Sequence, residues 1–331
     1  LRLPIKIVPM MFMRGVDAAV ALKRLGRILD LEERPARVEY NSAGKEEEEE
    51  KEKEKEKNEG KKEKGSTLFG LGEVRMKNAC FSWQQQEKSK EEVSTEEEST
   101  EEESTDGEGN MEKSKEGTHY DLDCLNIIIK PGELVCVVGR VASGKTSFLS
   151  SMLGEMSLVS GAVSVRSNRI GYVAQTAWIQ SITIRASILF GAKYDENKYQ
   201  TVLDVVQLTD DLKHLPGGDQ CEIGDRGITL SGGQMQRLAI ARALYLEDTD
   251  MFLLDDVLSA CDVHVADAIF TRAISSGYMS TKTRILTLNS HFHLLSSADR
   301  IVVMSGGRVA CSGTWEEIHE HAQFLDLTNH L

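Results

Sequence analysis

Long apolar runs, an excess of basic charge and paired cysteines are all missing from this 331-residue chain, and each absence removes a class of protein. No uninterrupted apolar stretch of about 20 residues occurs, so the sequence holds no complete membrane-spanning helix. The net charge of −14 lacks the basic footprint of a nucleic-acid binder. Six cysteines (Cys80, Cys124, Cys136, Cys221, Cys261 and Cys311) include no Cys-x-x-Cys pair, and no paired histidines stand at zinc spacing. All six therefore read as reduced thiols in a cytosolic setting. No signal peptide is visible and the first residue is Leu1, so the chain is expected to be a piece of something longer.

The acidity is local. Residues 45–64 and 87–116 together carry 23 acidic and 12 basic side chains, which accounts for most of the net charge. The first tract is almost pure Lys/Glu and, with Asn41-Ser42-Ala43-Gly44 before it, reads as a linker over residues 41–72. The second lies in a polar stretch from about 84 to 117, where Ser-Thr-Glu-Glu-Glu repeats at Ser94 and Ser99. Such composition cannot bury a core, so a disordered acidic insertion is expected there, open to phosphorylation by an acid-directed kinase. Ahead of both tracts, residues 1–30 run from apolar to basic, with Val16, Val20, Leu22, Leu25, Ile28 and Leu29 at roughly helical spacing. Two readings stay open for that stretch: an amphipathic helix packed on a soluble domain, or the cytoplasmic end of a membrane helix.

What is present centres on Gly139-Arg140-Val141-Ala142-Ser143-Gly144-Lys145-Thr146. It fits the phosphate-cradling pattern G-x-x-x-x-G-K-[ST], which average composition would produce about 0.01 times in such a chain. Leu134-Val135-Cys136-Val137-Val138 before it reads as a buried strand, and residues from Ser147 to Met152 as the first turns of a helix. Free N–H groups at that helix start would face phosphates. Lys145 would add a point charge at the β/γ-phosphates and Thr146 a hydroxyl ligand for Mg2+.

The rest of the chain supplies a frame. Strands are expected around 73–83, 120–129, 162–165, 169–174, 251–254, 284–288 and 300–304, with helices over 184–215 and 231–246. Alternating strands and helices imply a mostly parallel α/β sheet. Helices from 184 to 246 without intervening strands imply an inserted helical subdomain.

Leu230-Ser231-Gly232-Gly233-Gln234 is the second anchor, a specified pentapeptide with a chance frequency on the order of 10⁻⁶ per position. Placed before a helix and about twenty residues before an apolar strand ending in Asp255, it makes residues 73–320 resemble an ATP-binding-cassette (ABC) nucleotide-binding domain. More narrowly the chain is similar to the first such domain of the C subfamily, the multidrug-resistance-associated transporters. Gln175-Thr176-Ala177-Trp178-Ile179-Gln180, Ile188-Leu189-Phe190-Gly191, Glu222-Ile223-Gly224-Asp225-Arg226-Gly227 and Asp255-Asp256 carry that similarity. The resemblance implies a P-loop ATPase core with an antiparallel β subdomain and an inserted α-helical subdomain. It also implies that residues 1–40 are the end of a membrane domain with a linker helix, and residues 321–331 a C-terminal tail.

The same resemblance assigns roles. Trp83 matches the aromatic that stacks on adenine. Residues 139–146 and Ser147 hold the phosphates, and Thr146, Gln175 and Asp255 serve Mg2+. Ser231, Gly232, Gly233 and Gln234 match the motif that closes on ATP bound to an opposing domain, and Asp262 the loop that communicates between sites. Three positions depart. Asp256 stands where the general base is usually Glu, and about 1.5 Å of lost reach costs roughly 10²-fold where positioning carries catalysis. Asn289 occupies the place of the switch histidine. Ala142 replaces a common Gly: a residue this small can fit, whereas tighter backbone angles would strain it. The implied function is an ABC exporter domain that binds MgATP, hydrolyses it weakly, and pairs with a second nucleotide-binding domain and membrane-spanning domains. Organic anions or conjugates are the implied cargo. The alternative is a nucleotide sensor in a channel-regulating ABC protein.

Overall fold

The unbroken apolar run at residues 134–138 is divided between two cores. Leu134, Cys136 and Val138 face one cluster and Val135 and Val137 the other, because successive side chains of a strand point to opposite faces. All are buried, and each such side chain contributes about 1.5–3 kcal/mol by leaving water. A strand covered on both faces belongs to the middle of a parallel sheet.

The computed structural model describes residues 39–40, 70–83, 120–224 and 230–328. Its strands are β1 (Glu39–Tyr40), β2 (Glu73–Ser82), β3 (Leu122–Ile129), β4 (Leu134–Gly139), β5 (Ser157–Arg166), β6 (Ile170–Val173), β7 (Met251–Asp255), β8 (Thr283–Leu288), β9 (Arg300–Ser305) and β10 (Arg308–Gly313). Its helices are α1 (Lys145–Met152), α2 (Ile184–Leu189), α3 (Glu196–Val205), α4 (Thr209–His214), α5 (Gly232–Tyr245), α6 (Val263–Ile269), α7 (Trp315–Ile318) and α8 (Ala322–Thr328). The expected membrane-domain end, the Lys/Glu linker, the acidic insertion and residues Asp225-Arg226-Gly227 lie outside the described residues. Residues 321–331, expected as a tail, include α8, whose Phe324 and Leu327 are buried in the core.

Six strands form one sheet in the order β10-β9-β4-β8-β7-β6, parallel throughout except for the β9–β10 hairpin. A second sheet, β1-β5-β2-β3, is antiparallel apart from the short β1–β5 pair. One core packs the helices α2, α3, α5 and α6 on one face of the large sheet, and the other packs α1 and the antiparallel sheet on the opposite face. Among the described residues, helices α2 to α5 follow one another without an intervening named strand, the inserted helical unit that the sequence implied, and an isolated bridge joins Thr183 to Glu222. No helix among the described residues is long and apolar enough to cross a membrane.

Register places the chemistry. Val138 pairs with Leu288, Asp255 with Thr287, and Val173 with Leu254. The residues following β4, β6, β7 and β8 therefore emerge at one edge, where open parallel sheets bind ligands.

Candidate functional site

At that edge a cavity of about 580 Å³ is lined by residues 141–147, Gln175, Asp255 and Asn289, together with Tyr120, Asp121, Gly306 and Gly307. The loop after β4 turns into α1 through Gly144, whose φ of 100° is open to glycine and strained for other residues. Ala142 is also left-handed, with φ 62°, a conformation that strains a residue other than glycine. Lys145 is buried and its Nζ donates to Gly139 O at 2.8 Å and Arg140 O at 2.9 Å. Two of its three N–H donors are thus used to shape the loop. Burial pushes the Lys145 pKa below 10.5, and the nearby Asp256 and Asp255 carboxylates oppose that shift. A buried ammonium destabilised by desolvation is stabilised by an incoming anion.

Asp255 and Asp256 are both buried but held differently. Thr287 Oγ1 donates to Asp255 Oδ1 at 2.7 Å and accepts from Asp256 N at 2.8 Å. Asp255 Oδ2 has no hydrogen-bond partner, and neither has the buried Ser143 Oγ. Orphaned polar atoms that line a cavity point to a missing ligand or ion. The Asp256 carboxylate, by contrast, is fully engaged. Asn289 Nδ2 donates to Oδ2 at 2.6 Å, Asn289 N to Oδ1 at 3.2 Å, and Gln175 Nε2 to Oδ2 at 3.3 Å. Its backbone is left-handed at φ 51°, a conformation that Asp and Asn tolerate better than longer side chains. Asp256 at the general-base position, Asn289 at the switch-histidine position and Gln175, the three candidates for the catalytic step, are thus one hydrogen-bonded cluster.

Other expected site residues are placed apart. Trp83 is about half exposed (45%) and does not line the cavity; its Nε1–H donates to Ser147 Oγ at 3.2 Å. Arg140 points out to Asp326 of α8 at 3.0 Å. Ser231 caps α5 in a reciprocal box with Gln234, and Gln234 Nε2 also donates to Asp211 Oδ1 at 2.8 Å. The Gln234 side chain is therefore committed within the chain rather than turned to a ligand. A Cβ on Gly233 would lie 2.8 Å from Ala260 O, whereas one on Gly232 would meet open space. None of residues 231–234 lines the cavity. Asp262 caps α6 through Val265 N at 3.1 Å.

After β8 the chain turns at His291, left-handed with φ 57°. His293 pairs with Asp267 at 2.7 Å, and neither histidine lines the cavity, so Asn289 keeps the position beside Asp256. Sequence reasoning missed Tyr120, Asp121, Gly306, Gly307 and Thr287. Ser305-Gly306-Gly307 reads as a turn after the strand at 300–304, and the β4–β9 pairing carries it to the phosphate loop, where Gly307 N donates to Ser143 O at 3.0 Å.

Comparison with known proteins agrees with this layout. The profile of the ABC transporter family matches residues 122–259. The chain is 47% identical over 208 residues to ATP-binding cassette sub-family C member 2 of Mus musculus, covering 62% of this chain and 13% of that protein. It is 44% identical over 209 residues to ABC transporter C family member 8 of Dictyostelium discoideum, with 62% and 13% covered. Similarity to the ABC-type transporter cicA of Emericella nidulans runs at 36% identity over 319 residues, 96% of this chain and 21% of that protein. The chain thus spans between about an eighth and a fifth of the length of these relatives.

Proposed function

Because the chain belongs to the ABC transporter family as an ATP-binding domain of the C-subfamily type, we propose that it works as a holder of MgATP rather than its main consumer. One observation carries the reading. Asp256, the carboxylate in the position of a general base, spends both oxygens on Asn289 and Gln175. A base must reach within about 2.6–3.2 Å of the water it activates, and this one is short and already hydrogen-bonded.

Binding draws on separate groups. The loop N–H groups, the α1 N-terminus and Lys145 take the phosphates. Asp255 Oδ2, unpartnered and buried at the cavity wall, fits a hard cation, with the Thr146 hydroxyl and Gln175 completing the donors. Mg2+ is commonly held by one or two carboxylates plus substrate phosphates, and no group of three or more His, Cys, Asp or Glu side chains placed to hold a metal occurs among the described residues. Held by Asp255, Thr146 and Gln175, the ion would supply positive charge against the phosphates.

The exposed Ser231-Gly232 turn, with open space at Gly232, suits a surface reserved for another molecule. In this reading it completes the ATP site of a second nucleotide-binding domain, and that site does most of the hydrolysis. Exposed Trp178 and Phe190, at 59% and 49%, with Arg242 over both rings at 5.5 Å, offer a patch for membrane-spanning domains. ATP closure of the paired domains would then drive export of organic anions or conjugates across the membrane, with this domain on its cytoplasmic face. Replacing the partner domain's catalytic carboxylate in the intact protein tests this division. Steady-state ATPase should fall more than about ten-fold, and activity persisting near the parent level contradicts the proposal.

A further inference from the structure

The nucleotide cavity has an aromatic wall that the phosphate-loop motifs do not explain. Strand β2 ends one residue before Trp83 and β3 begins two residues after Tyr120. The two strand ends are tied together, since Asp121 N donates to Phe81 O at 3.0 Å and Trp83 N donates to Asp121 Oδ2 at 2.9 Å. Two aromatic side chains therefore leave one hydrogen-bonded stem beside the first turn of α1. They are not equivalent. Trp83 is anchored through its indole N–H to Ser147 Oγ and is absent from the cavity lining, whereas Tyr120 and Asp121 line it alongside residues 141–147.

We infer that Tyr120 is a base-contacting residue of this site, a second aromatic platform that sorts flat nucleobases from bare polyphosphates. The inference rests on the cavity being the ATP site. With the triphosphate on residues 143–147, the wall formed by Tyr120 is the aromatic surface that the cavity itself offers. Base–aromatic stacking tolerates any π-face, so Tyr120 favours large purine rings over smaller pyrimidines without separating adenine from guanine. Asp121 acts on Trp83 as a positioning residue, because its carboxylate holds the Trp83 backbone N–H.

Calorimetric titration of the 331-residue chain with MgATP and, separately, inorganic tripolyphosphate tests the assignment. Tyr120→Ala is expected to weaken MgATP about ten-fold and leave tripolyphosphate binding unchanged, while Tyr120→Phe keeps both affinities, since the ring and not the hydroxyl is used. A Tyr120→Ala chain that binds ATP within about two-fold of the parent overturns the assignment. So does an equal loss for tripolyphosphate, which would mean that Tyr120 supports the loop rather than the base. A parent chain that binds both ligands equally tightly removes the base platform alone. A parent that binds neither removes the ATP-holder reading with it.

Discussion

Joint replacement of Asp256 and Asn289 probes the cluster at the heart of the site. Asp256→Glu restores one methylene, but the longer carboxylate has to leave Asn289 before it meets water. The 2.6 Å amide contact involves a charged acceptor, and such bonds are worth about 1.5–3 kcal/mol. The left-handed φ of 51° at this position adds a further penalty for Glu. At about 1.4 kcal/mol per factor of ten, the grip alone withholds roughly 10- to 150-fold of whatever the new base could supply. Asp256→Glu by itself is therefore expected to raise turnover at this site by no more than about three-fold. Asn289→His alone leaves the base short and should also act weakly. Together they should exceed the product of the single effects by about ten-fold or more, a coupling on the order of 1.4 kcal/mol. The assay is single-turnover hydrolysis in the intact protein with the partner site disabled, so that only this site is counted. Single effects that simply multiply, or a full gain from Asp256→Glu alone, refute the argument that Asn289 immobilises the carboxylate.

Two further outcomes follow from the same geometry. Burial lowers the Lys145 pKa below 10.5, so in the folded chain the proton leaves at lower pH than in the unfolded one. Folding stability should then rise as pH climbs between the depressed value and 10.5, because the unfolded state binds more protons there. ATP affinity should fall over the same window as the ammonium is lost; a Lys145→Arg chain whose affinity declined in parallel would contradict this. Ala142→Gly relieves a left-handed residue that costs roughly 1–2 kcal/mol, offset by about 0.5–1 kcal/mol of glycine entropy. The net gain is about 0–1.5 kcal/mol, so thermal denaturation should show a midpoint raised by up to about 3 °C; a lowered midpoint means that the loop is not strained at Ala142.

Residues marked by local chain pattern could be located before any fold was known. Lys145 and Thr146 follow from loop spacing, Asp255 and Ser231 are named through the family resemblance, and of these four Lys145, Thr146 and Asp255 line the cavity. What stayed hidden depends on strands far apart in sequence. Asn289 read only as a missing histidine, since its grip on Asp256 exists because β7 and β8 are neighbours and Asp256 is left-handed. Thr287, buried between the two aspartates, looked like any strand threonine. Tyr120 follows a long polar stretch and carries no motif; the β2–β3 stem brings it to the cavity. Gln234 belonged to a motif, yet its side chain is consumed by the cap and by Asp211. The motif thus named a loop without showing which of its atoms are free.

The central claim is that ATP stays intact at this site, and the nucleotide found there after binding reports on it most directly. The intact protein can be photolabelled in parallel with azido-ATP carrying α- or γ-phosphate label, then cleaved in the linker so that this domain is isolated. After several turnovers of the partner site, the γ-to-α ratio on this domain should remain near that of the starting nucleotide. Loss of the γ label from this domain as fast as from its partner would show that Asp256 works as a base despite Asn289, and the account would be wrong.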